Sequence, residues 1–118
     1  MRWNLRIIEI AKFVVDTLDQ KKGEDILLLD VTDIASFADY FVFCTGTSDR
    51  MLDGLAKTVK EEVKSKFKIK SNIEGYSSNG WVLLDLGDVI VHLLSPEQRD
   101  YYRLEELWSQ GKVLVKLQ

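Results

Sequence analysis

The sequence contains very few of the residues that stabilise cross-linked or metal-binding domains. Its 118 residues include one cysteine, one histidine and one proline. A single cysteine forms no internal disulfide, and one cysteine with one histidine falls short of the four ligands of a structural zinc site. These counts exclude disulfide scaffolds and zinc ribbons, and they favour a reducing compartment.

Long apolar segments are also missing. No stretch approaches the roughly 20 apolar residues that a membrane-spanning helix needs. Residues 1–20 mix charged and apolar positions, whereas a secretory signal has an unbroken apolar run and a small-residue cleavage site. We therefore expect a protein with no membrane association, located in the cytoplasm or, in a compartmented cell, in an organelle as a mature form.

An excess of basic residues is missing as well. Sixteen Lys and Arg residues stand against nineteen Asp and Glu residues, which gives a net charge of −3 at pH 7. Proteins dedicated to nucleic acids usually carry a basic excess or a basic face. The basic cluster that is present spreads over a predicted helix and the strand after it, which is typical of a solvated surface. Its members are Lys57, Lys60, Lys64, Lys66, Lys68 and Lys70.

The composition is that of one globular domain, with 46% hydrophobic and 30% charged residues. A chain of this length buries about two thirds of the surface that its unfolded form exposes, which is enough for a single core. No linker, repeat or low-complexity tract divides the sequence. We therefore assign residues 1–118 to a single domain.

The apolar pattern predicts an α/β domain. From about Trp3 to Gln20, apolar residues recur every three or four positions, as on an amphipathic helix. Asp25–Val31 and Tyr40–Thr45 are too apolar to alternate, which is typical of strands covered on both faces by helices. Between these strands, Thr32–Asp39 is predicted to be a turn with a short helical piece.

A second helix is predicted after the second strand. Gly46–Ser48 breaks the strand, and the hydroxyl of Ser48 is suited to cap a helix. A modest edge strand is predicted over Phe67–Ile73, and the composition of Glu74–Gly80 predicts a loop. The apolar side of the second helix carries Leu52, Leu55, Val59 and Val63.

Trp81–Leu94 contains the clearest local signal, two strand-like runs joined at Gly87 as a hairpin. The two-residue turn is either Leu86-Gly87 or Gly87-Asp88. Because side chains alternate along strands, one face of the hairpin is aliphatic and belongs to the core. This face comprises Val82, Leu84, Val89 and Val91. The other face combines a large ring, a carboxylate and the histidine, and comprises Trp81, Leu83, Asp85, Ile90 and His92.

The C-terminal segment is predicted to form a helix and then a strand. Ser95–Gln98 resembles a capping box with proline at the first helical position, which predicts a helix over 96–109. Lys112–Leu117 is predicted to be a final edge strand or a docked tail. We expect Tyr102 and Glu105 to point outward. The inner side of the helix is predicted to carry Tyr101, Leu104, Leu107 and Trp108.

Phosphate and metal sites have weak support. A glycine turn before a helix can cradle a phosphate, but Gly46–Ser48 lacks the longer glycine-rich motifs of nucleotide-binding sites. Asp85 and Asp88 resemble a paired-acid metal site, yet acids beside hairpin turns are commonly turn formers. We therefore expect a helix cap and turn formers at these positions.

Nucleophilic catalysis has equally weak support. Cys44 or Ser48 would need His92 beside it in space to act as a nucleophile. We expect Cys44 to be a buried thiol. His92 has two interpretations, a partly exposed sheet residue hydrogen-bonded to a carboxylate or a residue that contacts a partner.

Five ordered segments resemble the bacterial ribosomal silencing factors, also called Iojap-like proteins. They are Asp25–Val31, Ser36–Val42 followed by Gly46–Ser48, Glu74-Gly75, Trp81–His92 and Arg99–Trp108. The resemblance implies a single α/β domain with a central mixed β-sheet flanked by helices. This architecture is distantly similar to the nucleotidyltransferase fold, without the catalytic acids of that superfamily.

The resemblance also implies a function that involves no chemistry. Members of this family bind the large ribosomal subunit through its fourteenth protein, at the surface where the small subunit docks, and block subunit joining when nutrients are scarce. No cofactor, metal or catalytic residue is implied. Some members form homodimers, and contacts with ribosomal RNA would be secondary. The rival interpretation is a nucleotidyltransferase-like enzyme that uses Gly46–Ser48 and nearby carboxylates.

The hairpin and the helix after it supply the predicted binding surface. A mildly acidic domain is complementary to ribosomal proteins, which are usually basic. Large amphipathic rings with a few charges are typical of the centres of protein interfaces. We therefore predict that the partner-binding residues are Trp81, Asp85, Asp88, His92, Arg99, Tyr102 and Glu105.

Overall fold

In the computed structural model, the backbone is described for residues 2–118 and the side chains for residues 6–104, 106 and 108–118. In chain order the helices and strands are α1 (Arg2–Gln20), β1 (Glu24–Asp30), β2 (Tyr40–Thr45), α2 (Asp49–Phe67), β3 (Asn72–Tyr76), β4 (Trp81–Asp85), β5 (Val89–Leu94), α3 (Pro96–Tyr102), α4 (Leu104–Leu107) and β6 (Lys112–Leu117). A short 3₁₀ turn, Ser77–Asn79, joins β3 to β4.

The strands form one mixed sheet in the order β3-β4-β5-β2-β1-β6. β2 and β5 run parallel, and the other neighbouring pairs run antiparallel. Tyr40 pairs with Val89 and Thr45 with Leu94, so β2 and β5 start at the same end of the sheet. The predicted α/β fold with a central mixed sheet flanked by helices is confirmed.

α1 and α2 cover one face of the sheet. The predicted apolar stripe of α1 is buried, and Val14 and Leu18 have no exposed surface. α2 begins at the predicted cap, where the hydroxyl oxygen of Ser48 accepts a hydrogen bond from the backbone N–H of Met51 at 3.0 Å. The main core lies between these helices and the sheet. The buried side chains that the sheet contributes to this core include Leu28, Val42, Cys44, Leu84 and Val91.

The opposite face of the sheet has a smaller core and is only partly covered. The segment 31–39, the residue Leu104 and the ring of Trp108 pack over β1, β2 and β5 there. The segment 31–39 forms a turn without the predicted short helix. Trp81 and Leu83 on β4 stay half-buried. The β3–β4 end is therefore the open part of this face.

β3 differs from the predicted edge strand. α2 continues to Phe67, and Lys68 ends it in the left-handed conformation at φ 61°, so no strand begins there. The strand occupies Asn72–Tyr76, which includes part of the predicted loop. Gly75 has φ +84°, and an added Cβ would lie 2.5 Å from the carbonyl oxygen of Trp81. Glycine therefore permits the close pairing of β3 with β4 and does not mark a loop.

The predicted helix over 96–109 is also wrong. α3 ends at Tyr102, and Arg103 takes a left-handed conformation at φ 48° before the single turn of α4. Tyr101, in the last turn of α3, does not line the inner side and is 78% exposed. Leu104 and Trp108 pack against the smaller core, as predicted. Two side chains lie outside the described residues, those of Glu105 and Leu107.

The β4–β5 hairpin has the predicted strand pairing and one of the two predicted turns. The backbone N–H of Leu86 donates to the carbonyl of Val89 at 3.0 Å, which selects Gly87-Asp88 as the two-residue turn. Leu83 pairs with His92, so both lie on the predicted mixed face. The C-terminal segment is the edge strand β6, which pairs with β1.

Candidate functional site

A groove of about 540 Å³ opens on the uncovered β3–β4 end of the sheet. β3 and β4 form its floor, and α3 forms one wall. Because three of its side chains are aromatic, we call it the aromatic groove. It is lined by Glu74, Gly75, Tyr76, Asn79, Trp81, Leu83, Gln98 and Tyr102.

The pairing of β3 with β4 assembles the floor of the aromatic groove. Tyr76 pairs with Trp81, and Glu74 pairs with Leu83. Directly opposed residues in an antiparallel pair project to the same side of the sheet, so these four side chains share the open face. Tyr76 is 74% exposed. The floor thus presents two rings, an aliphatic side chain and a carboxylate.

Hydrogen bonds hold α3 beside this floor. The backbone N–H of Ser95 donates to the carbonyl of Gly80 at 2.8 Å. The side-chain amide of Gln98 donates to the carbonyl of Asn79 at 3.1 Å, and the backbone N–H of Gln98 donates to the hydroxyl of Ser95 at 3.1 Å. The bonds to Gly80 and Asn79 tie the start of α3 to the connection between β3 and β4, and the bond to Ser95 caps the helix. The helix therefore forms a defined wall.

Tyr102 and Trp81 face each other across the aromatic groove. Their ring centroids are 5.0 Å apart with the planes tilted by 49°. Tyr102 is 46% exposed, in agreement with its predicted outward position. Tyr101 packs edge-on against Tyr102 at 4.9 Å and continues the aromatic surface outward.

His92 lies beneath Trp81 and has only 8% of its surface exposed. It stacks on Phe43 with centroids 5.0 Å apart, and Phe41 packs edge-on against it. Its Nδ1 accepts a hydrogen bond from the indole Nε1–H of Trp81 at 3.3 Å. Burial lowers the pKa of His92 to about 4, so the imidazole is neutral at pH 7.

The sequence-based expectation of a partly exposed His92 bonded to a carboxylate is therefore wrong. Phe41 and Phe43 come from β2, about fifty residues away in sequence, and their rings pack against the imidazole. The indole N–H of Trp81 is engaged by His92, and Trp81 lines the groove. The role that the geometry gives His92 is to orient Trp81.

The two predicted acids of the hairpin occupy different positions. Asp85 lies on the same face as the groove, two residues beyond Leu83, and its Oδ1 accepts the backbone N–H of Gly87 at 2.8 Å. Asp88 is exposed in the turn, and its carbonyl accepts the backbone N–H of Asp39 and of Tyr40. Burial, followed by the negative charges of Asp88 and Asp30, raises the pKa of Asp39.

Arg99 faces a second cleft, of about 820 Å³, between the α3–α4 segment and β1–β6. One of its guanidinium nitrogens donates to the hydroxyl of Thr45 at 3.0 Å and also to the carbonyl of Asp25. These bonds join α3 to the ends of β1 and β2. Arg99 thus lies away from the aromatic groove, and the predicted contact residue Glu105 is outside the described side chains.

The components of the rival enzymatic site do not come together. Gly46–Ser48 follows the end of β2 beside Leu94, whereas Asp85 and Asp88 lie at the opposite end of the strands. The hydroxyl of Ser48 accepts the Met51 N–H bond described above. In the described part of the chain, no group of three or more His, Cys, Asp or Glu residues is placed to hold a metal ion.

Cys44 is equally remote from a catalytic arrangement. It projects into the main core on the helix-covered face, whereas His92 packs on the opposite face of the sheet. Burial raises the pKa of the Cys44 thiol to about 12. The predicted buried thiol is confirmed.

Among the described residues, no helix is both long and apolar enough to cross a bilayer.

Comparison with known proteins places the chain among its relatives. Residues 4–118 match the family model described as ribosomal silencing factor during starvation. The chain belongs to this ribosomal silencing factor family. The ribosomal silencing factor RsfS of Bacillus subtilis (strain 168) is 40% identical over 102 residues, which is 86% of each chain.

Two further relatives extend the comparison. A crystal structure of a Chromobacterium violaceum protein superimposes with a TM-score of 0.82 at 37% identity and covers 92% of both chains. The mouse protein named mitochondrial assembly of ribosomal large subunit protein 1 is 35% identical over 84% of this chain and 46% of its own length. The resemblance found in the five sequence segments is thereby confirmed.

In this ribosomal silencing factor, three of those five segments build the aromatic groove. Glu74-Gly75 lies on β3, Trp81–His92 forms β4 and most of β5, and Arg99–Trp108 supplies the α3 wall. Sequence analysis did not choose Glu74, Tyr76 or Gln98 as site residues. The signal for Tyr76 was the pairing of β3 with β4, which places it opposite Trp81.

Proposed function

We propose that this chain binds the large ribosomal subunit through its fourteenth protein and uses the aromatic groove as the centre of the contact. The observation that carries this proposal is the convergence of three family segments on one open groove. The mouse relative is named for assembly of the ribosomal large subunit, which supports a partner on that subunit.

Binding alone accounts for silencing in this proposal. The fourteenth protein lies on the face of the large subunit that the small subunit approaches. The domain bound there therefore keeps the two subunits apart by steric exclusion. A patch of ordinary size, about 800 Å² per partner, is sufficient if dissociation is slow. No catalytic residue, cofactor or metal takes part, and the protein acts in the cytoplasm of a bacterial cell.

Sedimentation of purified subunits tests the proposal. Small and large subunits are mixed with increasing amounts of this protein, and the fraction of joined ribosomes is measured. We expect that fraction to fall as the protein saturates the large subunit. An unchanged fraction at saturating protein would refute steric silencing.

Two variants locate the contact. Tyr76→Ser removes a ring that is 74% exposed, so we expect weaker binding to large subunits with little change in stability. Trp81→Ala removes the central ring and is expected to weaken binding further. Val113→Ser is the control, since it alters an exposed apolar residue on β6 at the other edge of the sheet. Equal binding by all three variants would contradict a contact at the groove.

The proposal also includes two further partners, a second copy of this chain and ribosomal RNA. A homodimer and a secondary contact with ribosomal RNA are both compatible with a groove that occupies one end of the sheet. Sedimentation of the isolated protein tests the first. The dependence of large-subunit binding on the exposed lysines of α2, such as Lys57 and Lys64, tests the second.

A further inference from the structure

The charge of the aromatic groove is of one sign. Among its lining residues, Glu74 is the only ionised side chain, and none is basic. Asp85 lies on the same face, one alternate position beyond Leu83 on β4. The second cleft is of mixed charge, since its lining includes Arg99, Arg103 and Lys116 together with four acidic residues, Glu24, Asp25, Asp100 and Glu106. The aromatic groove has no basic residue in its lining that would oppose a cation.

The rings of Tyr76, Trp81 and Tyr102 line the groove. The one polar atom of the Trp81 ring is engaged with His92 on the inner side. The Tyr102 ring lies 5.0 Å from the Trp81 ring, and Tyr76 is the residue of β3 that pairs with Trp81. The negative face of an aromatic ring attracts a cation within about 6 Å of its centroid, and tryptophan does so most strongly.

The combination of aromatic rings with one carboxylate selects among cations. A guanidinium is planar, so it stacks on an aromatic face and at the same time donates two hydrogen bonds to one carboxylate. An ammonium is a compact, strongly hydrated point charge and loses more hydration in such a groove. The arrangement of Trp81, Tyr102 and Glu74 matches the flat, forked cation better.

We propose that the aromatic groove receives an arginine side chain of a basic partner protein, with the guanidinium on the face of Trp81 and Glu74 as its counter-charge. This inference rests on the proposed function, because it names the chemical group that the ribosomal partner inserts. His92 takes part indirectly as a positioning residue for Trp81.

Charge variants at one position test the counter-charge. Binding of purified large subunits is measured for Glu74→Gln and Glu74→Lys at low and at moderate salt. We expect about threefold weaker binding for Glu74→Gln and about tenfold or greater for Glu74→Lys. Glu62→Lys is the matched control, because it makes the same charge change at an exposed position of α2, and we expect less than about twofold change.

A direct probe distinguishes the type of cation. The ¹⁵N-labelled protein is titrated with N-acetyl-arginine methylamide and, separately, with the lysine analogue at equal ionic strength. We expect the arginine compound to shift the indole N–H signal of Trp81 and the amide signal of Gly75 at lower concentration than the lysine compound. Equal effects of the two compounds, or no shift with either, would overturn the proposal.

The two proposals fail in different ways. If wild-type protein does not bind large subunits, the proposed function is wrong. If wild-type protein binds, Trp81→Ala abolishes binding and the Glu74 variants bind like wild type, the function stands and the arginine assignment is wrong. The groove would then receive an apolar side chain of the partner.

Discussion

At the scale of single residues, the contact between Trp81 and His92 links the core to the surface. Phe43 stacks on the imidazole from one side, and the Trp81 indole donates to its Nδ1 from the other. A protonated imidazole cannot accept that hydrogen bond and is costly to bury. The orientation of the ring in the groove therefore depends on a neutral histidine.

This contact predicts a loss of stability in acid. The pKa of His92 is about 4 in the folded protein against 6.5 for the free side chain, so the unfolded chain binds the proton more readily between these values. The free energy of unfolding should decrease by up to about 3 kcal/mol as the pH falls from 6.5 to 4. Denaturant unfolding across this range measures the decrease.

His92→Gln is the comparison for the acid prediction, since glutamine offers an acceptor for the indole and does not titrate. We expect its stability to fall less steeply over the same pH range. Asp39→Asn is a second control of opposite sign, because the raised pKa of Asp39 makes folding more favourable as the pH falls toward 3.8. Parallel curves for wild type and His92→Gln would contradict the assignment.

At the scale of elements, the pairing of β3 with β4 requires glycine at position 75, where a residue with a side chain would be strained. Gly75 combines a φ of +84° with close approach to the carbonyl of Trp81. β3 is an edge strand whose residues are all exposed, so its pairing with β4 has no neighbouring strand on the other side to support it. The conformation of Gly75 therefore contributes to the β3–β4 pairing that forms the floor of the groove.

Gly75→Ala should destabilise the protein by more than about 1 kcal/mol, because a left-handed conformation is unfavourable for a residue with a Cβ. Gly54→Ala is the matched control on the exposed surface of α2, where an added Cβ has no neighbour within 4 Å. We expect Gly54→Ala to stabilise the helix by about 0.5–1 kcal/mol. Thermal or denaturant unfolding measures both, and equal effects of the two changes would be inconsistent with a constrained β3.

At the scale of the whole molecule, the sheet separates a larger core under α1 and α2 from a smaller core on the open face. Cys44 lies in the larger core with no exposed surface, and the thiol has a pKa of about 12. Because β2 is the fourth strand in the sheet order and has neighbours on both sides, a reagent reaches this sulfur only when the domain opens.

Thiol labelling should therefore report global unfolding. We expect native protein to react with a thiol reagent far more slowly than denatured protein, and the rate to rise with denaturant as the unfolding equilibrium does. The denatured chain provides the reference rate. Rapid labelling of native protein without denaturant would show that β2 opens locally.

Much of the fold was predictable from local sequence. Ser48 caps α2 as expected, because a hydroxyl before an amphipathic run satisfies an otherwise unpaired backbone N–H. The two faces of the β4–β5 hairpin were predictable because alternation along a strand is a local property. The break at Arg103 was not, since nothing in the residues around it resembles a helix terminator.

The candidate site was predictable only in part. Trp81 and Tyr102 were chosen from the sequence and lie together in the groove. Arg99 was chosen with them, yet it binds Thr45, which is 54 residues away along the chain. Tyr76 was missed because its place depends on the pairing of β3 with β4.

The sequence by itself determined the helical stripes, the buried strands, the hairpin faces and the family, because each of these depends on residues that lie close together along the chain. Only the tertiary structure decided which of the candidate side chains meet. Phe43 stacks on His92, and the pairing of β3 with β4 places Tyr76 and Glu74 on the same face as Trp81. Such meetings follow from the close packing of distant segments, which no local periodicity encodes.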